Sequence, residues 1–130
     1  MAKPIKCITV DDAKELQNKW KETRALDIEQ AQGYQDTREF WYSLEELQEY
    51  LDYVKEQSTA QGVHKPGIRI YLGAYPKYTV KKSYATIFLA PTKEKSALLE
   101  GEEDASNNTE NNYEIEPLNM NQGGYPPKEY

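Results

Sequence analysis

The stretch SLEELQEYLDYVKEQSTAQGVHKPGIRIYLG, residues 43–73, contains a complete helix with its start and stop signals and the strand that follows it. Ser43-Leu44-Glu45-Glu46 is a capping box, in which the serine hydroxyl and the Glu46 carboxylate satisfy free backbone amides at a helix start. Behind it, Leu44, Leu47, Leu51, Val54 and Ser58 recur in steps of three and four, with Tyr50 and Tyr53 on the flanks. Gly62 supplies a residue that tolerates a left-handed stop. Pro66-Gly67 then breaks the chain, and Ile68, Ile70 and Leu72 alternate with Arg69, Tyr71 and Gly73 at the period of a strand.

Downstream, Tyr84 to Ala90 alternates in the same way, and the intervening Tyr75 to Lys82 holds a proline and three lysines. The pair reads as an antiparallel hairpin with a long basic loop. Upstream, Val10, Ala13, Leu16 and Trp20 have helical spacing behind Thr9, with Asp11 and Asp12 in the first turn, where the helix dipole favours anions. Leu26, Ile28 and Ala31 allow a helical continuation that Gly33 ends. The aromatic run Thr37 to Tyr42 suits a short buried strand. The expectation is an α+β domain of order α-β-α-β-β over residues 1–92, two helices packed on a three-stranded, mainly antiparallel sheet.

Charge changes at the same boundary. Residues 1–92 carry 13 basic and 13 acidic side chains, residues 93–130 carry three and nine, so the formal charge of −6 belongs to the second segment. Glu100 to Asn112 is acidic and Asn-rich with little to bury, and is expected to be disordered. Residues 113–130 regain Tyr113, Ile115, Leu118 and Tyr125 among prolines, a composition for extended docking. On this reading the 93–130 tail is flexible and removable without loss of the fold. One cysteine, Cys7, allows no intrachain disulfide and is expected as a small buried hydrophobe. With no apolar leader and no apolar run long enough to span a membrane, a cytoplasmic protein is expected.

The block from Phe40-Trp41-Tyr42-Ser43 through Gly67-Ile68-Arg69-Ile70-Tyr71-Leu72-Gly73 to Ala85-Thr86-Ile87-Phe88-Leu89-Ala90-Pro91-Thr92 resembles a group of small bacterial proteins. They share a helix feeding an "IR-aromatic-aliphatic-G" strand and a second strand ending in Pro-Thr. The resemblance covers about half the chain. It implies a fold and carries over no activity and no functional residue.

Between Glu56 and Glu94 there is no acidic residue, while Lys65, Arg69, Lys77, Lys81, Lys82 and Lys93 fall inside. Tyr71, Tyr75, Tyr78, Tyr84 and Phe88 are interleaved with these cations. If Ile68, Ile70 and Leu72 face the helices with Ala85, Ile87 and Leu89, the opposite face gathers Arg69, Tyr71, Tyr75, Tyr84, Thr86 and Phe88, too aromatic for ordinary solvated sheet. Either this face is covered from within the chain or it receives a partner. The leading expectation is a non-enzymatic protein-interaction module that binds another protein or an acidic segment, since Tyr and Arg concentrate interface energy. Its binding residues would be Arg69, Tyr71, Tyr75, Lys77, Tyr78, Lys81, Lys82 and Tyr84. The alternatives are a binder or enzyme for a small anionic or phosphorylated ligand, and weak binding of single-stranded nucleic acid on aromatic platforms. An overall neutral domain with an acidic tail disfavours nucleic acid. No catalytic residue, metal site or cofactor is assigned: His64 has no second ligand at a matching spacing, and Asp11-Asp12 and Glu45-Glu46 are explained as helix starts. The acidic tail is itself a candidate competitor for Arg69, Lys77, Lys81 and Lys82.

Overall fold

A computed structural model describes residues 1–77, 82–95 and 108–130. The chain is α+β, with helices α1 (Val10–Glu22), α2 (Arg24–Gln32) and α3 (Leu44–Ala60) among the described residues. The strands are β1 (Phe40–Trp41), β2 (Gly67–Ala74), β3 (Ala85–Glu94), β4 (Thr109–Asn111) and β5 (Gln122–Gly123). They form an antiparallel sheet of order β2-β3-β4 and a two-stranded sheet of β1 and β5. The chain divides into two compact units, Met1–Glu39 with Gly123–Tyr130, and Phe40–Gln122.

In the first unit, α1 starts at Thr9, whose Oγ1 accepts from the Asp12 N–H at 3.0 Å. Thr23 divides α1 from α2: its hydroxyl donates back to the Lys19 carbonyl at 2.6 Å while its backbone leaves helical angles. Gly33, at φ 85°, ends α2 in the left-handed conformation expected of it. The last residues of the chain are tied to this helix pair. Glu129 bridges Lys21 at 2.7 Å and Arg38 at 2.9 Å, and the Tyr130 N–H donates to Gln17 Oε1 at 2.8 Å. Neither α1 nor α2 contains a buried residue, and Val10, Leu16 and Leu26 remain exposed.

The second unit carries the core. Ser43 caps α3 as its sequence requires, its Oγ accepting from the Glu46 N–H at 3.0 Å. Tyr50 and Val54 on the buried stripe of α3 meet Leu89 of β3 and Ile115, with Tyr42, Leu47, Ile68, Ile87 and Leu118 around them. The β2–β3 register pairs Ile70 with Leu89, Tyr71 with Phe88 and Gly73 with Thr86, so the two faces sort as the alternation predicts. One detail differs. Ile68 joins the core, but Ile70 and Leu72 are 64% and 71% exposed, because the core formed with α3 lies over β3 and stops short of the outer part of β2.

The third strand also differs from expectation. It is Thr109–Asn111, which lies in the stretch assigned by composition to a disordered tail, whereas the aromatic run at 37–42 contributes only Phe40–Trp41, paired with β5. After β4 the chain stays on β3: Leu118 and Leu89 exchange backbone hydrogen bonds of 2.8 and 2.9 Å. Ile115 is 2% exposed. Asn112 is buried and donates to Gln61 Oε1 at 2.8 Å. Residues 108–122 thus belong to the compact unit Phe40–Gln122, for a physical reason: β3 offers a second edge, and its polar groups need partners. The remaining tail residues assigned to disorder, 96–107, lie outside the described residues.

Candidate functional site

The face of the sheet opposite α3 presents Arg69, Tyr71, Tyr75, Thr86 and Phe88, fixed there by strand alternation and the β2–β3 register. Tyr71 lies opposite Phe88, and their rings stack with centroids 5.3 Å apart and planes 18° from parallel. Asn111 of β4 joins the two other groups. Its Oδ1 accepts from Arg69 Nη1 at 2.9 Å, and its Nδ2 donates to the Tyr71 hydroxyl at 2.8 Å. Arg69 Nη2 also reaches the Thr109 carbonyl at 3.5 Å. The Asn111 amide, and then the Arg69 guanidinium, hold the Tyr71 phenol below its ordinary pKa.

Next to this pair opens a cleft of about 320 Å³ lined by Tyr71, Phe88, Ala90, Pro91, Asn111, Asn112, Tyr113, Ile115 and Pro117. Its lining residues are aromatic, aliphatic, proline or amide, and none is charged. Tyr113 stands at the rim 91% exposed. Such a site can take apolar surface and exchange hydrogen bonds with a backbone, but its lining holds no nucleophile–base pair of the kind acyl or phosphoryl chemistry needs.

Farther along the same face a second polar group forms. The Tyr75 hydroxyl donates to Asn119 Oδ1 at 2.9 Å and accepts from the Thr86 hydroxyl at 3.2 Å. Asn119 Nδ2 donates to Thr86 Oγ1 at 3.1 Å and to the Ile87 carbonyl at 2.8 Å. Of the residues singled out by sequence, Arg69 and Tyr71 are therefore brought together at the cleft, and Tyr75 is engaged by the returning chain. Tyr84 pairs with Tyr75 through the Tyr75 N–H at 3.0 Å, while Lys77 and Lys82 sit at the exposed loop end. Tyr78 and Lys81 lie outside the described residues.

Sequence reasoning named Tyr113 only as a docking residue of the tail, and missed Asn111 and Pro117. The signal for them was the return of apolar residues at 113–118, but no local pattern connects that segment to β3. Among the described acids of the tail, Glu129 meets Lys21 and Arg38, Glu94 and Glu110 lie 4.0 Å from Lys65 and Lys93, and Arg69 is met by the neutral Asn111. Cys7, expected as a buried hydrophobe, is exposed. Among the described residues no helix is long and apolar enough to cross a membrane, and no group of three His, Cys, Asp or Glu side chains is placed to hold a metal ion.

No protein-family model, curated protein or solved structure compared with the chain matches it. The resemblance carried by the hairpin block rests on those residues alone.

Proposed function

We propose that the chain is a non-enzymatic protein-recognition module, and that the cleft beside the Tyr71–Phe88 stack receives an apolar or aromatic side chain from an extended partner segment. The observation that carries this reading is the uncharged aromatic and proline lining with a fully presented tyrosine, Tyr113, at its rim. Tyrosines offer large, stiff contact area at small entropic cost, which is why they concentrate binding energy. Lys77 and Lys82, at the exposed loop end of the same hairpin, add positive charge that favours the approach of an acidic partner. The rival reading, a small anionic or phosphorylated ligand, is weakened because no cation lines the cleft and the nearby Arg69 already spends its guanidinium on Asn111 and Thr109. A lone cysteine, with no second one in the chain to bridge it, suits a reducing cytoplasmic setting.

The test is selection of peptides from a random display library against the full chain, followed by titration of the winners into wild type and Tyr113→Ala. Selected peptides are expected to share an aromatic or large aliphatic anchor with acidic neighbours. Truncating a hot-spot tyrosine costs 2 kcal/mol or more, so affinity should fall by roughly 30-fold. Peptides that bind Tyr113→Ala as well as wild type would place recognition elsewhere. Chemical-shift changes at Arg69 and Tyr71 on adding inorganic phosphate alone would favour the anion reading.

A further inference from the structure

β2 lies at one edge of the three-stranded sheet. The hydrogen-bond directions decide which residues offer that edge. Leu89 exchanges both of its backbone bonds with Leu118, at 2.8 and 2.9 Å, so its β2 partner Ile70 forms a non-hydrogen-bonded pair with it. At the other phase, the Tyr75 N–H donates to the Tyr84 carbonyl at 3.0 Å, which sets the odd-numbered residues of β2 as those bonded to β3. The N–H and C=O groups of Ile68, Ile70, Leu72 and Ala74 therefore point away from β3, and no strand among the described residues pairs with them. The side chains of Ile70 and Leu72, on the same stretch, are the 64% and 71% exposed ones.

Natural edge strands are protected by prolines, bulges, brevity or charges. β2 has eight residues, and its register with β3 runs without a bulge from Gly67 to Ala74. Its single charge, Arg69, is drawn across the sheet to Asn111, as is the Tyr71 hydroxyl. Neither side chain guards the free edge.

We propose that two copies associate by antiparallel pairing of β2 with β2 about a two-fold axis at Tyr71, forming one continuous six-stranded sheet. This register matches Ile70 with Leu72 and Ile68 with Ala74 of the other copy, and it uses all four outward-facing residues. Four pairs exchanging two bonds each give about eight new backbone hydrogen bonds. It gathers two Ile70 and two Leu72 side chains into one apolar strip. It also sets Arg69 opposite Gly73, which has no side chain, so no cations oppose within the strand. Lys65 and Lys77 approach only beyond the strand ends, so association should tighten as salt is added. A seam of one strand is smaller than the roughly 1,200–2,000 Å² of a standard interface, which makes this a reversible, concentration-dependent dimer.

The experiment is sedimentation equilibrium of the full chain up to roughly 100 µM, the regime of micromolar affinities. The apparent mass should rise toward twice the monomer's with concentration in wild type. Leu72→Lys, a change at an exposed side chain, should raise the dissociation constant at least about tenfold, with an unchanged circular dichroism spectrum. Cross-linking reads the register. In a Cys7→Ser background, Tyr71→Cys places two thiols across the axis at about 4.5–5.5 Å, while Ala74→Cys separates them by roughly 20 Å. Tyr71→Cys should form a disulfide dimer on oxidation and Ala74→Cys should not. A monomer at every concentration overturns the proposal, as does a dimer unaffected by Leu72→Lys, which would move the contact to another surface such as the tyrosine cleft. Equal cross-linking by both cysteine variants overturns the register.

Discussion

Replacing Tyr50 by Phe removes a single oxygen from the centre of the second unit and leaves the ring in place. Tyr50 is 8% exposed, and its hydroxyl is within hydrogen-bonding distance of the Glu116 carbonyl at 2.8 Å and the Leu89 carbonyl at 3.2 Å. The two acceptors do not suffer equally. The Leu89 carbonyl also accepts from the Leu118 N–H at 2.9 Å, so only the Glu116 carbonyl loses its partner in the variant. Glu116 is exposed, and water can reach part of that deficit. The expected cost is therefore near the net value of one hydrogen bond, about 1 kcal/mol, rather than the 3–5 kcal/mol of deleting an aromatic side chain. For a unit of this size that lowers the melting temperature by about 4–8 °C. The same hydroxyl gives a pH signature. Burial, and then the neighbouring Tyr53 phenol, raise its pKa from 10.0 to about 12. Folding thus favours the protonated form, so the stabilisation is complete below pH 10 and is lost as pH rises from 10 to 12. Urea melts of wild type and Tyr50→Phe between pH 8 and 12 would show the two curves converging over that interval. Equal stability of the two proteins at pH 8, or a constant gap up to pH 12, would refute the assignment of this hydroxyl as the tie between α3, β3 and the 116–118 segment.

Two further outcomes are expected. A chain ending at residue 95 should lose cooperative unfolding in near-ultraviolet circular dichroism, because Ile115 fills the core at 2% exposure and Leu118 bonds to Leu89; a retained sigmoidal melt would return 108–122 to the status of an appendage. Ser43→Ala should destabilise α3 by about 1 kcal/mol, read as a shift in the far-ultraviolet melt, since it deletes the oxygen that accepts from Glu46 N–H.

Local signals carried the fold where a residue's role depends on its sequence neighbours. The Ser43 cap needs only Glu46 three residues on, the α3 stripe needs only period, and the β2–β3 alternation fixes which side chains share a face. The third strand depended on nothing local. Thr109-Glu110-Asn111 contains one good strand former and two poor ones, and becomes a strand because β3 presents bonding groups that must be met. Ile115 shows the same limit from the other side: the few apolar residues regained after Asn112 sit among acids and prolines and give no helical or core-face pattern, yet Ile115 is among the most buried side chains. The composition change near residue 93 was therefore a real feature of the sequence that did not coincide with a boundary of the compact unit.

The candidate site was half legible for a related reason. Sequence charge suggested that an acidic tail would seek Arg69, but the residue delivered there is Asn111, and the difference has chemical content. A carboxylate offers only acceptors, so both Arg69 and the Tyr71 O–H would have to donate to it. An amide has both kinds of group. Asn111 accepts from Arg69 with Oδ1 and donates to the Tyr71 oxygen with Nδ2. Tyr71 is thereby made an acceptor toward β4, and its own O–H proton is directed away from Asn111, while its ring is held flat on Phe88. The arrangement satisfies the arginine inside the fold and leaves the Tyr71 O–H as a donor beside an apolar cleft, the combination that the proposed docking of a partner's backbone carbonyl and anchoring side chain would use.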